Sequence, residues 1–257
     1  RACRFLFHLY RCRLTLAGRF SFRVGVTNTP VVTVSIMGVC VFVYLLQVIP
    51  GLNATDALLY SPIYSFGEFQ SQGVPYEPWR MITAMFAHSV SSGGFFGSLP
   101  LHLLLNMFTL WMFGQVLETI LGRARYLGLY MLSGLAGSVG VFVWALIDTN
   151  TIPSAMIGAS GAIFGLMAAY VVIQRRRGAN MSGLLVLIVI NLVIGFLPGS
   201  GISWQAHLGG LIGGAIVGLI FTARVGKKPQ QSQRLLLAGF TLVLCMIALS
   251  HAPIIVG

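Results

Sequence analysis

Long apolar stretches recur along the chain from Val31 to Ser250, separated by short polar or basic segments and by one long mixed loop. A membrane-crossing helix needs roughly 17 to 25 largely apolar residues. On that criterion the pattern predicts seven crossings, at 30–49, 99–117, 126–147, 159–174, 183–197, 206–223 and 235–250. The fourth, at about 16 residues, rises only about 24 Å, so one of its ends is expected below the membrane surface. Its start, Gly158-Ala159-Ser160-Gly161, is therefore a candidate for buried polar backbone. The fold class that follows is all-α, a polytopic membrane helical bundle. Residues 1–29 read as a basic tail, 30–223 as a six-helix core, and 224–257 as a basic loop with a seventh helix. The first outside loop, about 50–98, mixes Gly, Pro and aromatic residues. Within it Trp79, Ile82, Met85 and Phe86 recur at helical spacing, which predicts an interfacial helix over 79–88.

Composition agrees with this reading. The 257 residues are 56% hydrophobic and 8% charged, far below the roughly one-quarter charged residues of soluble domains. The formal net charge of +11 would suit a nucleic-acid partner if the cations were clustered on one surface. They fall instead in alternate connections: six Arg before residue 24, then Arg123 and Arg125, then Arg175 to Arg177, then Arg224, Lys227, Lys228 and Arg234. Only Arg80 stands on the other side. Cytoplasmic loops retain Lys and Arg, so the N-terminus is expected inside and the C-terminus outside, in a cell (plasma or inner) membrane, with no nucleic-acid partner. The Arg-rich, acid-free N-terminus also resembles an organelle transit peptide; a cytoplasmic tail anchoring the first helix is the simpler reading. Cys3, Cys12, Cys40 and Cys245 have no CxxC spacing, so neither a zinc site nor a disulfide framework is expected, and no cofactor. No internal repeat is evident, which argues against an inverted-repeat transporter.

Fixing the orientation sets a depth for each polar residue. His102 and Asn106 fall in the outer half of the second helix and, four apart, share one face. Ser160 and His207 stand at the outer first turns of the fourth and sixth helices. Polar groups inside a bilayer usually face a cavity or one another, so four of them in one layer from three helices form a candidate site. Gly210, Gly214 and Gly218 follow His207 as a stripe, and Gly161, Gly165 and Ala168 form a small-residue strip on the fourth helix. Such strips let helices approach closely, which would bring Ser160 to His207.

These motifs resemble the rhomboid family of intramembrane serine proteases: Trp79-Arg80 in the first loop, His102-x-x-x-Asn106, Gly158-Ala159-Ser160-Gly161, and Ala206-His207-x-x-Gly210-x-x-x-Gly214, in the family's order. The resemblance implies a six-helix core with one added helix. It further implies Ser160 as nucleophile and His207 as base, with the side chains of His102 and Asn106 and the Ser160 backbone N–H as oxyanion donors, and with Gly158 in the same stabilising site where the backbone must turn tightly and approach substrate. Phe164 is placed to lean on the imidazole, and Gly161, Gly210 and Gly214 support the packing. The remaining carboxylates lie in outside loops or, for Glu118, at the inner end of the second helix, so a dyad is expected in place of a Ser-His-Asp triad. The loop at 197–205, with Pro198, Gly199 and Gly201, reads as a mobile cap, and the family implies a lateral gate between the second and fifth helices. The expected partners are the bilayer and transmembrane protein substrates, cut near their outer ends where helix-weakening residues ease local unwinding. Rival readings are an inactive rhomboid-like factor that binds membrane proteins, a channel or transporter bundle, and a haem bundle ligated by His102 and His207. Trp79 and Arg80 are expected to position the first loop at the lipid interface. His88 is expected to be structural, and His8 and His251 are assigned nothing.

Overall fold

The structure is a computed structural model and describes residues 29–90, 100–197, 201–223 and 228–250. The N-terminal tail, Pro198 and Gly199 of the proposed cap, Arg224 and Lys227, and the last seven residues lie outside the described residues.

The chain is helical throughout, with no strand among the described residues. The first apolar helix is α1 (Val31–Gln47). The long loop then carries α2 (Ala54–Leu58), a 3₁₀ turn at Pro62–Tyr64, α3 (Gly67–Ser71) and α4 (Arg80–Thr83). The bundle continues with α5 (Leu101–Leu121), α6 (Arg123–Ile147), α7 (Ser160–Arg175), α8 (Ser182–Gly195), α9 (Trp204–Thr222) and α10 (Pro229–Ala248). All seven expected apolar helices are present. Four of them, α5, α6, α9 and α10, are long and apolar enough to cross a membrane, whereas α1, α7 and α8 are shorter apolar helices. Two boundaries differ from the hydropathy pattern for local reasons. α10 begins six residues before the apolar run, because Pro229 at its first turn is preset for helix and costs no hydrogen bond there. α6 begins at Arg123 directly after Gly122, whose φ of +79° turns the chain within one residue.

The centre of the bundle is α6, α7 and α9, whose facing surfaces are Gly, Ala and Ser. A Cβ on Gly140 would meet the Gln205 carbonyl at 2.9 Å and Gly209 Cα at 3.0 Å. Backbones therefore touch directly, which is how apolar helices gain packing where lipid offers no hydrophobic drive. The remaining helices ring this centre. α8 buries only Ile188 and Gly195 and packs on α7 and α9. Its outer side, with Val186, Val189, Ile190 and Val193 all more than half exposed, is the surface a lipid environment would cover.

The helix expected over 79–88 is shorter than its apolar periodicity suggests. Only Arg80–Thr83 is α-helical, and the chain turns tightly through Met85 and Phe86. Met81 and Met85 are wholly buried while Trp79 and Ile82 are exposed, so the segment divides its apolar residues between the protein core and the outside. The Ser138 hydroxyl of α6 donates to Met81 O at 2.7 Å and pins the segment to the bundle.

Candidate active site

One end of the bundle gathers the polar residues. Before α7 the chain pairs with the first loop through an antiparallel bridge between Tyr60 and Met156. Gly158 N–H then donates to Ala84 O at 2.9 Å. Gly158 has φ +128°, a conformation open to glycine and costly for residues with a Cβ. Ser160 follows as the first residue of α7, and Ala159, at the cap position, has no side chain to satisfy the first-turn N–H groups. Those N–H groups face the site with the positive end of the helix.

His207 lies in the first turn of α9, which Ser203 caps through its hydroxyl. The glycine stripe sets its distance from α7. Cβ atoms on Gly210 and Gly214 would overlap the carbonyls of Gly161 and Gly165, and one on Gly218 would stand 3.0 Å from Ala169 Cα. The third contact uses Ala169 where the small-residue strip anticipated Ala168, because the two helices stay in step at intervals of four. The result is a 2.9 Å contact between His207 Nε2 and Ser160 Oγ. Phe164, one turn after Ser160, stacks on the imidazole with ring centroids 4.1 Å apart and planes at 15°. His207 Nδ1 is buried and has no hydrogen-bond partner among the described residues, so the ring is held by packing where a triad would use a carboxylate.

On α5, the His102 ring lies over Gly158. A Cβ there would be 2.9 Å from His102 Cε1, 3.0 Å from its Nε2 and 3.8 Å from Ser160 Oγ. The space that Gly158 leaves open is thus bordered by the imidazole and the serine hydroxyl together. Ser89 N–H donates to His102 Nδ1 at 3.1 Å, which leaves the ring hydrogen on Nε2, the nitrogen facing that space. Asn106 is buried, and its amide donates one hydrogen to His102 O at 2.7 Å, leaving the second to spare. Gly158, expected to take part in oxyanion stabilisation where the backbone must turn tightly and approach substrate, commits its own N–H to Ala84 O and supplies room and the turn.

Residues 75–224 match the family model described as the Rhomboid domain, over half of the chain. The chain belongs to the rhomboid family. It is 33% identical over 198 residues to "Rhomboid protease GluP" of Bacillus subtilis (strain 168), covering 72% of this chain and 34% of that protein. It is 36% identical over 155 residues to "RHOMBOID-like protein 5" of Arabidopsis thaliana, covering 58% and 45%. It is also 36% identical over 151 residues to "RHOMBOID-like protein 6, mitochondrial" of Arabidopsis thaliana, covering 56% and 44%. The chain therefore spans less than half the length of each of these relatives.

In this rhomboid the Trp79-Arg80 motif lies apart from the dyad. Trp79 is exposed. Arg80 is buried and organises the loop from within: its guanidinium donates to Asp56 O, to Leu59 O at 3.2 Å and to Glu77, and lies 4.3 Å from the centre of the Tyr64 ring. His88 is also buried, 5.3 Å from His102 ring to ring. Burial, and then the nearby His102, push its pKa down to about 4. Gln47, at the end of α1, escaped the reading of the sequence. Its carboxamide accepts from His88 N–H at 2.9 Å and donates to His88 O and to Thr55 Oγ1, each at 2.9 Å. One side chain thereby holds both backbone groups of the residue before Ser89, whose N–H sets the His102 tautomer. The available signal was that Gln47 is the only carboxamide in an otherwise largely apolar helix. Among the described residues no three His, Cys, Asp or Glu side chains are grouped to share a metal ion.

Proposed function

We propose that the chain is an intramembrane serine endopeptidase that cleaves transmembrane segments of other proteins with a Ser160–His207 dyad. The observation that carries the reading is the 2.9 Å contact between His207 Nε2 and Ser160 Oγ, with the imidazole stacked on Phe164. A hydroxyl becomes a useful nucleophile when a base in hydrogen-bond reach takes its proton. As Ser160 Oγ bonds to the scissile carbonyl carbon, its proton passes to His207 Nε2. The carbonyl oxygen gains the negative charge. Donors for that charge are the Ser160 N–H at the uncapped start of α7, His102 Nε2–H and the spare Asn106 hydrogen, each worth about 3 to 4 kcal/mol by analogy with serine proteases. His207 then gives its proton to the leaving amine, and water releases the acyl group from Ser160 by the same steps.

Topology supports access to water. Arg123, Arg125, Arg175 to Arg177, Lys228 and Arg234 lie at the helix ends opposite Ser160, since α7 runs from Ser160 to Arg175. By the positive-inside rule that end is cytoplasmic, the N-terminus is inside, the C-terminus outside, and the dyad opens to the outer face. The light packing of α8 favours entry of a substrate helix between α5 and α8.

Reaction of the detergent-purified protein with a fluorophosphonate probe tests the assignment. Wild type is expected to label and to cut a reporter transmembrane segment, while Ser160→Ala and His207→Ala do neither. Folded wild type that neither labels nor cleaves would leave only an inactive, segment-binding relative, and equal labelling of Ser160→Ala would remove Ser160 as nucleophile.

A further inference from the structure

At the end of the bundle opposite Ser160 lies a cavity of about 1790 Å³, walled by the ends of α5, α6, α7 and α9 and by the start of α10. Its lining has an apolar part, with Leu121, Ile173 and Phe221, and a cationic part, with Arg125, Arg176, Lys228 and Arg234 and with Arg177 beside them. Arg125 sits on α6, Arg176 directly follows α7, Lys228 directly precedes α10 and Arg234 lies on it, so the fold brings them together from distant parts of the sequence.

Among the described residues, no carboxylate pairs with Arg125, Arg176, Lys228 or Arg234. By the sequence, Glu118 is the only acidic residue on this side of the membrane. Its two oxygens are occupied elsewhere, accepting from Val32 N–H at 3.0 Å, Thr33 N–H at 2.9 Å and the Thr33 hydroxyl at 2.8 Å. Among the described residues, Arg125 and Arg176 meet neutral partners: Arg125 donates to Gln233 Oε1 at 3.3 Å and lies 5.5 Å from the Phe221 ring centre, and Arg176 reaches Thr222 O at 3.5 Å. The first turn of α10 also lines the cavity and adds the positive end of a helix. Gln233 fixes the geometry by donating to the Phe221 and Ala223 carbonyls at 3.2 and 3.0 Å, which joins the start of α10 to the end of α9.

A concave site that pairs these cations with an apolar lining at the level of the helix ends is complementary to an amphiphile bearing a phosphate. We infer that this cavity seats the headgroup of an anionic phospholipid, its phosphate among Arg125, Arg176, Lys228 and Arg234 and its acyl chains along the apolar helix ends. The lipid thereby bridges α10 to the core, a role for the added helix that is separate from the dyad. Assigning the lipid to the inner leaflet rests on the topology proposed above; the binding site does not.

The test uses the full chain in a zwitterionic detergent, with phosphatidylglycerol or phosphatidylcholine added and bound lipid counted by native mass spectrometry. Phosphatidylglycerol is expected to be retained about thirtyfold better, the ratio that two basic residues give on the scale of membrane-surface attraction. Arg176→Gln with Arg234→Gln removes the preference, whereas Arg123→Gln with Arg175→Gln, the same change of charge outside the cavity, keeps it. If the first pair shows no cooperative melting, Arg125→Gln with Lys228→Gln takes its place. No preference in wild type, or equal loss in the cavity and control pairs, overturns the inference. Displacement of the lipid by millimolar inorganic phosphate would do the same, reassigning the site to a soluble anion. Fluorophosphonate labelling is no part of this readout, so failure here leaves the proposed protease activity standing.

Discussion

Replacing Gly210 by Ala tests whether the gap between α7 and α9 sets the chemistry. Gly210 lies one turn after His207, and the backbone it faces belongs to Gly161, the residue after Ser160. A Cβ there would overlap the Gly161 carbonyl and stand 3.1 Å from Gly161 Cα. Restoring ordinary contact requires the two backbones to part by on the order of 1 Å. Added to the 2.9 Å between His207 Nε2 and Ser160 Oγ, that exceeds the reach of a hydrogen bond, and a misplacement of this size costs roughly 100-fold in rate. Stability should change far less. Overpacking costs about 1 to 3 kcal/mol, partly offset by the better helix propensity of Ala, about 1 kcal/mol. Turnover of a reporter transmembrane segment and thermal unfolding in detergent would be measured together. Gly239→Ala serves as control, because a Cβ on that residue meets nothing within 4 Å. Activity within threefold of wild type for a folded Gly210→Ala would refute the argument that backbone contact holds the dyad.

Three further outcomes are expected. Gln47→Leu removes three hydrogen bonds that hold His88 and Thr55, costing about 1 to 3 kcal/mol of stability; if Gln47 acts through Ser89 on the His102 tautomer, kcat falls about tenfold with KM little changed, and equal effects on both would assign it to structure alone. His88, whose pKa is pushed down to about 4 by burial and then by His102, refuses a proton that the unfolded chain accepts near pH 6.5. Stability is therefore expected to fall as pH drops through that window, by up to about 3 kcal/mol, and denaturant titrations should show a shallower fall in His88→Gln. Glu118→Ala leaves the Val32 and Thr33 N–H groups of α1 without an acceptor in a buried place, so the unfolding midpoint drops by an amount equivalent to about 2 to 4 kcal/mol, while the fraction that remains folded labels with fluorophosphonate as wild type does.

Helix count, order and approximate ends were legible because a bilayer demands long apolar runs. The convergence of Ser160 and His207 was legible for a related reason: glycine stripes on two helices announce a close approach, and a shared depth says which residues meet. The first loop was harder. Its order comes from Arg80, Tyr60, Ser61 and Thr83 bonding to backbone carbonyls and side chains, contacts that leave no periodic trace. Met85 and Phe86 matched a helical period, yet Met85 packs against Gly134 of α6, and tertiary contact overrode the local pattern. Gln47 was invisible as a functional candidate because its importance lies in the backbone it holds, 41 residues away. At Gly158 the sequence predicts a tight turn, and its φ of +128° agrees, but a pattern of residue types cannot say where its N–H goes.

The separation of the proposed dyad along the chain bears on how its two halves meet. Ser160 and His207 are 47 residues apart, and at roughly 5 to 20 residues per second a ribosome needs several seconds to pass from one to the other. During that interval α7 exists without α9, Ser160 has no base, and the hydroxyl is as inert as any other serine. A nascent chain passing through the insertion machinery, surrounded by the transmembrane segments of other newborn proteins, would thus carry the proposed nucleophile unarmed until the helix bearing His207 docks against it.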